Sequence, residues 1–414
     1  MKRGHESLNG PGLRGPGLDS LGRRSRSERP RPTVRFYVHT AGLLAAWAAL
    51  VLAWSYVARD ALPVSRREFW PREIERRAPP LARYDSGWYL TILERGYGPA
   101  PAPGQPSAHA FFPLYPYLAR GVKALARVDG FIAGQVLSLF CFLAAGLLFA
   151  SEGRRRLGER GSRHAMFFLL LYPTAFFLVA MYSESLFLLL SLAAFREARR
   201  DRPATAAVLG LLAGASRLPA LALALPLAIE AFSAARRADL PARSDRRALA
   251  RALLAGLAPV VGVLLWVFGA GWAAGEPGLF FRVQEAWHRG ASPLLGIQRF
   301  VQGLPSRIAR GDARDHPAFL LDYAHLLLFA AIAVYQTRRR LFSDAAWTAG
   351  ALLLPIASGI SASLPRYVLV VYPAFYALAQ IFEQRPRIRL VWWIFSGLLL
   401  AAGEAAFVHW RWVA

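Results

Sequence analysis

Apolar runs of about 20 residues recur along nearly the whole chain and are separated by polar segments. A transmembrane helix needs about 20 consecutive apolar residues to cross a hydrocarbon core of about 30 Å. The pattern therefore predicts an all-α polytopic membrane protein with about 11 transmembrane helices. The predicted spans are residues 38–58, 131–150, 165–182, 184–198, 204–218, 219–235, 252–272, 318–336, 345–363, 367–383 and 390–408.

The polar segments between these runs predict the orientation in the cell membrane. Five arginine-rich clusters fall on one side when the spans alternate, at residues 154–160, 196–202, 236–247, 337–340 and 385–389. Because cytoplasmic loops carry an excess of Lys and Arg, this side is cytosolic, and the N-terminus lies there too. Two long segments, residues 59–130 and 273–317, are then extracytoplasmic, so any chemistry in long loops is expected on that face.

Composition and charge predict a polar N-terminal tail and argue against nucleic-acid binding. Residues 1–37 are rich in Gly, Pro, Ser and Arg without apolar periodicity, which predicts a disordered basic cytosolic tail. The net charge of +24 would suggest nucleic acid binding in a soluble protein. Here the arginines cluster between apolar runs, and membrane orientation explains most of them, so no nucleic-acid partner is expected.

The first outer segment contains the stretch L-A-R-Y-D-S-G-W-Y-L-T-I-L-E-R-G-Y-G, residues 81–98. After Asp85, the run is compatible with a helix that lies in the membrane interface. Its predicted apolar stripe consists of Trp88, Tyr89, Ile92 and Leu93. Asp85 has two interpretations, as the N-cap of this helix or as a functional carboxylate.

Glu94 is a second carboxylate in the same stretch. Nine positions turn a helix through about half a circle, so Asp85 and Glu94 should point to opposite faces. A same-helix carboxylate pair of the kind that glycoside hydrolysis uses is therefore disfavoured. Glu94 is expected to pair with Arg95 or to face lipid headgroups.

A histidine follows in the motif S-A-H-A-F-F-P-L-Y-P. His109 can serve as a polar anchor at the membrane surface or donate a hydrogen bond to a lipid phosphate. The chain has no H-x-x-x-H or H-E-x-x-H pattern, its outer segments lack D-x-D, and its single cysteine, Cys141, lies in an apolar run. No metal site and no cofactor are expected.

Charged residues also interrupt apolar segments near the predicted outer surface. They are Glu184, Arg217, Arg366 and Glu404. Charges inside spans are costly and usually face the protein interior or a water-filled cavity. A structural ion pair, for example Glu184 with Arg217, is one explanation. A lipid-phosphate site is the other, because a guanidinium binds phosphate bidentately and keeps its charge.

Four ordered motifs resemble a known family. They are D-S-G-W-Y-L-T-I-L-E-R-G-Y, H-A-F-F-P-L-Y-P, A-M-Y-S-E-S-L-F-L-L-L-S and A-S-R. Their order over residues 83–220 is similar to the PIG-V (second GPI mannosyltransferase) family and its prokaryotic relatives, within the GT-C glycosyltransferase superfamily. Tyr84 stands where that family usually has tryptophan, and S-R-L-P replaces R-S-N-G, so only Arg217 of the last motif is carried over.

The resemblance implies a GT-C-like transmembrane domain over residues 38–414 and a polyprenyl-phosphate mannose donor. The sugar would pass with inversion to a lipid-linked or cell-surface acceptor, a glycolipid or glycan, on the outer face. Asp85 matches the acidic residue of the first outer loop and is expected to be the general base. Lack of N-glycosylation sequons and the Arg and Ala bias favour a bacterial member.

The remaining site residues are expected to hold the donor. Arg366, Arg217 and His109 would stabilise the leaving phosphate through hydrogen bonds. An aromatic belt would hold the sugar and headgroup at the interface, consisting of Trp88, Tyr89, Phe111, Phe112 and Tyr115.

Two alternatives stay open. The same architecture could transfer glucose, galactose or arabinose, because nothing in the sequence selects the sugar. A transporter or flippase of a lipid-linked intermediate is the second, and it should show internal repeats and broken helices near the membrane midplane. No two-fold repeat is visible and the polar residues lie near the outer surface, which favours the transferase.

Overall fold

In the computed structural model, the ranges described are residues 33–62, 72–238, 244–286, 294–295, 297–298, 301–303, 318–357 and 363–413. Every regular element in these ranges is helical. Residues 1–32 of the tail predicted for residues 1–37 lie outside the described ranges.

Most helices in the described ranges lie in the apolar runs of the sequence. They are α1 (Val34–Ala61), α2 (Arg72–Arg77), α3 (Asp85–Arg95), α4 (Leu114–Ala126), α5 (Gly130–Leu170), α6 (Glu184–Arg199), α7 (Pro203–Gly214), α8 (Ala224–Ala238), α9 (Ser244–Ala273), α10 (Leu279–Glu285), α11 (Ala318–Arg338), α12 (Phe342–Ala357), α13 (Leu364–Leu369), α14 (Tyr372–Ile381) and α15 (Pro386–Val408). Short 3₁₀ helices lie at Ala108–Ala110, Ala175–Leu178 and Leu218–Leu223.

Within the described ranges, six helical segments are long and apolar enough to cross a membrane. They are Val34–Ala61, Gly130–Leu170, Leu218–Arg237, Asp245–Ala273, Leu320–Arg338 and Pro386–Val408. Pro203–Gly214 and Phe342–Ala357 are shorter apolar helices. The chain is therefore a multi-pass membrane protein, and the topology of eleven spans stays a prediction.

Helix α5 reverses direction at Gly158. Its backbone there has φ 79° and ψ 178°, outside helical values and in a region that glycine adopts easily. The hydroxyl of Ser162 donates to the carbonyl of Ala150 at 2.8 Å, although the two residues are twelve positions apart, and a straight helix could not make this contact. The turn lies inside the arginine-rich cluster of residues 154–160, where the sequence predicts a loop.

Two predicted spans differ from continuous helices. After Leu170 the chain becomes irregular, and residues 172–183 are all buried. Pro173 has no N–H to donate and disfavours a helical residue before it, so a helix cannot easily continue there. The predicted span 367–383 is likewise broken between α13 and α14, just before Pro373.

A buried ionic network joins the helix ends on the predicted cytosolic side. The guanidinium of Arg156 lies 2.6 Å from the carboxylate of Asp344. Arg199 lies 3.0 Å from Glu230, donates to the hydroxyl of Tyr372 at 3.2 Å, and lies 3.8 Å from Asp344. These residues connect α5, α6, α8, α12 and α14.

Candidate active site

Asp85 is the first residue of α3. Tyr84, with φ 49°, occupies the cap position, and no side chain caps this helix end. The N-cap interpretation of Asp85 is therefore wrong by one residue. A carboxylate in the first turn is still favoured by the helix dipole.

The segment before α6 fixes the start of α3. The hydroxyl of Tyr182 accepts a hydrogen bond from the backbone N–H of Asp85 at 3.3 Å and donates to the carbonyl of Arg83 at 2.9 Å. The hydroxyl of Ser86 donates to the carbonyl of Met181 at 3.1 Å. The irregular, buried chain of residues 172–183 thus positions the first turn of α3, which a continuous helix could not do in this way.

Arg366 connects Asp85 to Glu184. Its Nη1 lies 2.7 Å from Oδ2 of Asp85, and its Nε donates to Oε1 of Glu184. The guanidinium carbon lies 4.5 Å from the ring centroid of Tyr182 and 5.1 Å from that of Phe177, within the range of cation–π attraction. Packing and two ion pairs therefore restrict this arginine.

The short helix α13 presents Arg366. Its first backbone N–H, that of Leu364, donates to Oδ1 of Asp322 on α11 at 3.0 Å. This contact satisfies one of the N–H groups that a helix start leaves without an intrahelical partner.

Glu184 pairs with a second arginine. Arg217 also forms an ion pair with its Oε1, so the Glu184–Arg217 pair offered as a structural explanation is present and extends to Arg366. Glu184 is fully buried, at 0% exposure, while the side chain of Asp85 is 24% exposed. Two guanidinium groups and two carboxylates thus form a cluster of balanced charge, which we call the Asp85 cluster: Asp85, Glu184, Arg217 and Arg366.

Aromatic rings surround the start of α3, but they differ in access. Trp88 and Phe111 are stacked, with centroids 6.0 Å apart at 19°, and both are half-buried. Tyr89 and Tyr115 are buried behind them, and their rings meet edge to face at 4.9 Å. Burial raises the pKa of Tyr89 to about 12, so its hydroxyl stays neutral beside the hydroxyl of Ser183, at 3.0 Å. Phe112 is also buried and packs against rings of Trp266 and Phe280.

His109 lies in a different environment. Its Nδ1 is 2.9 Å from the hydroxyl of Ser107, and its ring packs on Tyr97 at 5.4 Å. Burial lowers the pKa of His109, and the positive charge of Arg282 on α10 lowers it further. His109 therefore lies beside α10 and not in the Asp85 cluster.

The other two predicted carboxylates do not join the Asp85 cluster. Glu94 forms an ion pair with Lys123 of α4, and not with Arg95 as expected. Glu404 is buried on α15, and its Oε1 has no hydrogen-bond partner among the described residues. Asp85 and Glu94 therefore have separate partners, as helix geometry predicts.

Sequence reasoning missed Tyr182 and Asp322. Tyr182 belongs to the motif A-M-Y-S-E-S-L-F, in which Glu184 alone attracted attention because of its charge. Asp322 lies in an apolar run and could have been found as a further charge inside a span. In the part of the chain that the structure describes, no group of three or more His, Cys, Asp or Glu side chains could hold a metal ion.

Comparisons with known proteins agree with the motif order. The family model described as mannosyltransferase (PIG-V) matches residues 53–266, just over half of the chain. A search of curated proteins finds no match. The matched region contains Asp85, His109, Glu184 and Arg217, whereas Arg366 lies beyond it.

A search of solved structures finds two oligosaccharyltransferase structures from Archaeoglobus fulgidus. One, a complex with Zn and sulfate, is 13% identical, with a TM-score of 0.41 over 87% of this chain and 53% of that chain. The other, AglB with an inhibitory peptide and a dolichol-phosphate, is 13% identical, with a TM-score of 0.42 over 88% and 56%. This chain thus spans about half the length of those proteins. By its family match, the chain belongs to the mannosyltransferase (PIG-V) family.

Proposed function

We propose that this protein transfers a sugar from a polyprenyl-phosphate donor to a lipid-linked or cell-surface acceptor on the extracytoplasmic face. Mannose is the sugar that we propose. The observation that carries the proposal is the Asp85 cluster. It combines a partly exposed carboxylate at the start of α3, within the region that matches the family, with a buried arginine 2.7 Å away.

In the proposed reaction, Asp85 acts as the general base. Its carboxylate accepts the proton of an acceptor hydroxyl while the hydroxyl oxygen attacks the anomeric carbon of the sugar. The bond between that carbon and the phosphate oxygen breaks, and the electron pair leaves with the polyprenyl phosphate. A single displacement of this kind inverts the anomeric configuration.

Arg366 and Arg217 stabilise the leaving group in this proposal. The phosphate carries one negative charge as a diester and gains a second when the sugar departs. Guanidinium groups held in place before the reaction stabilise that added charge without reorganisation. Glu184 supports the role because it fixes both arginines beside the base.

The stacked rings of Trp88 and Phe111 are the proposed contact for the sugar or the headgroup, because they are the half-buried members of the aromatic belt. Tyr89, Tyr115 and Phe112 lie behind them and support the wall. His109 bonds to Ser107 and packs on Tyr97 near α10, so in this proposal it anchors the first outer segment.

A transfer assay tests the proposal. Purified protein is incubated with radiolabelled polyprenyl-phosphate mannose and a membrane lipid extract, and label in new products is measured for wild type and Asp85→Asn. Loss of a general base should lower the rate by about 10²–10⁴-fold while folding and membrane insertion are preserved. Near wild-type transfer by Asp85→Asn would remove Asp85 from the mechanism. Transfer from a glucose, galactose or arabinose donor alone would correct the sugar.

A further inference from the structure

Arg366 binds two carboxylates through different nitrogen atoms of one guanidinium. Its Nε faces Glu184, which is fully buried, and its Nη1 faces Asp85, which is partly exposed. A ligand that arrives from outside therefore meets the Asp85 side of the guanidinium first. The Glu184 side is closed by the surrounding protein.

We propose that Asp85 and the donor phosphate compete for this exposed side of Arg366. Donor binding displaces the carboxylate of Asp85 from Nη1 and thereby frees it to accept the proton of the acceptor. Donor then has to bind before acceptor. The inference rests on the proposed function, since it assigns the phosphate to Arg366, and it adds a mutually exclusive contact and an order of binding.

Charge counting supports the exchange. The Asp85 cluster is balanced, with two arginines against two carboxylates, so an incoming phosphodiester would add one uncompensated negative charge at a poorly solvated place. Asp85 can withdraw toward water, because its side chain is 24% exposed, whereas Glu184 cannot. Withdrawal of Asp85 restores the balance around the two arginines.

Geometry supports it as well. A phosphate offers several acceptor oxygens to the planar guanidinium and can bind it bidentately. Glu184 holds Nε, and the rings of Tyr182 and Phe177 hold the guanidinium, so Arg366 stays in place during the exchange. While Oδ2 of Asp85 accepts from Nη1 at 2.7 Å, that oxygen faces the guanidinium and not the acceptor hydroxyl.

The test measures binding rather than catalysis. The probe is geranylgeranyl phosphate, with geranylgeraniol as the uncharged reference, and affinity is measured by microscale thermophoresis in detergent. Asp85→Asn removes the competing charge, so it should bind the phosphate about tenfold more tightly than wild type, corresponding to ~1.4 kcal/mol. Asp85→Ser serves as a second neutral variant if Asp85→Asn fails to give a monodisperse protein.

Two controls make the result specific. Asp60→Asn removes a carboxylate from an exposed Arg59–Asp60 pair that is also 2.7 Å long, and it should leave the affinity unchanged. Adding Arg366→Gln to Asp85→Asn should abolish the gain, because both ligands use that guanidinium.

Unchanged or weaker phosphate binding in a folded Asp85 variant overturns the exchange, as does equal tightening for geranylgeraniol. The proposed function fails differently, when Asp85→Asn keeps its transfer activity. An inactive variant with unchanged phosphate affinity would therefore refute the competition alone.

Discussion

Glu184 is the residue on which the Asp85 cluster depends most, and Glu184→Gln measures that dependence. In the wild type, the fully buried carboxylate of Glu184 forms ion pairs with two buried guanidinium groups and compensates part of their positive charge. The variant keeps the size of the side chain but removes its charge. Arg217 and Arg366 are then left with one carboxylate, that of Asp85, between them.

The magnitude follows from burial. Removing one partner of a buried ion pair costs about 3–5 kcal/mol, because the remaining charge is left without compensation. Asp85 still pairs with Arg366, and the glutamine oxygen can still accept a hydrogen bond, so we expect the lower end, about 3 kcal/mol. With roughly 2 °C per kcal/mol for a large domain, the midpoint of thermal unfolding should fall by about 6 °C.

The assay is thermal unfolding of the purified protein in detergent, monitored by intrinsic fluorescence or static light scattering. The matched control is Glu94→Gln, the same substitution in the Glu94–Lys123 pair, whose two side chains are each 36% exposed. An exposed pair contributes about 0–1 kcal/mol, so this control should move the midpoint by about 2 °C or less. Equal midpoints for the two variants would refute the claim that the buried cluster stabilises the protein.

Two further predictions concern other regions of the molecule. Asp344→Asn removes a buried partner of Arg156 and Arg199 and should destabilise the protein by about 3 kcal/mol. The control is Asp201→Asn in the half-exposed Arg251–Asp201 pair, which should cost about 1 kcal/mol or less. Comparable shifts in the midpoint of thermal unfolding would contradict this prediction. Burial and the charge of Arg282 lower the pKa of His109 in the folded protein, so the unfolded chain binds this proton more readily. The contribution of His109 to stability is therefore present above the unfolded pKa of about 6.5. It is lost as pH falls through the lower folded pKa. His109→Gln should therefore reduce the loss of thermal stability on acidification below about pH 6.5, and an unchanged pH dependence would exclude the histidine as its source.

The sequence predicts the apolar helices and several charged contacts for a clear physical reason. Length and hydropathy are local properties, so α1, α9 and α15 lie close to the predicted spans. The cost of burying charge makes a Glu184–Arg217 pair a natural expectation, and the structure contains it. Helix periodicity separates Asp85 from Glu94, which pair with different residues.

Other features could not be predicted because they depend on distant parts of the chain. An apolar run has the same hydropathy whether it is a helix or the buried irregular segment of residues 172–183. The Asp85–Arg366 contact joins residues 281 positions apart, and nothing in either motif indicates the other. The one-residue error at the start of α3 arises because Asp-Ser is a common cap signal, whereas here the hydroxyl of Tyr182 serves the first turn.

The long separation of Asp85 and Arg366 also has a consequence for biosynthesis. Because synthesis proceeds from the N-terminus, Asp85 and Glu184 are made before α13, which carries Arg366. Until then the carboxylate of Asp85 lacks the cation that the finished protein places against it, and Glu184 has Arg217 alone. During that interval, the cluster has two carboxylates and only one guanidinium. The Asp85 cluster is therefore complete only when α13 has packed against α6 and the start of α3.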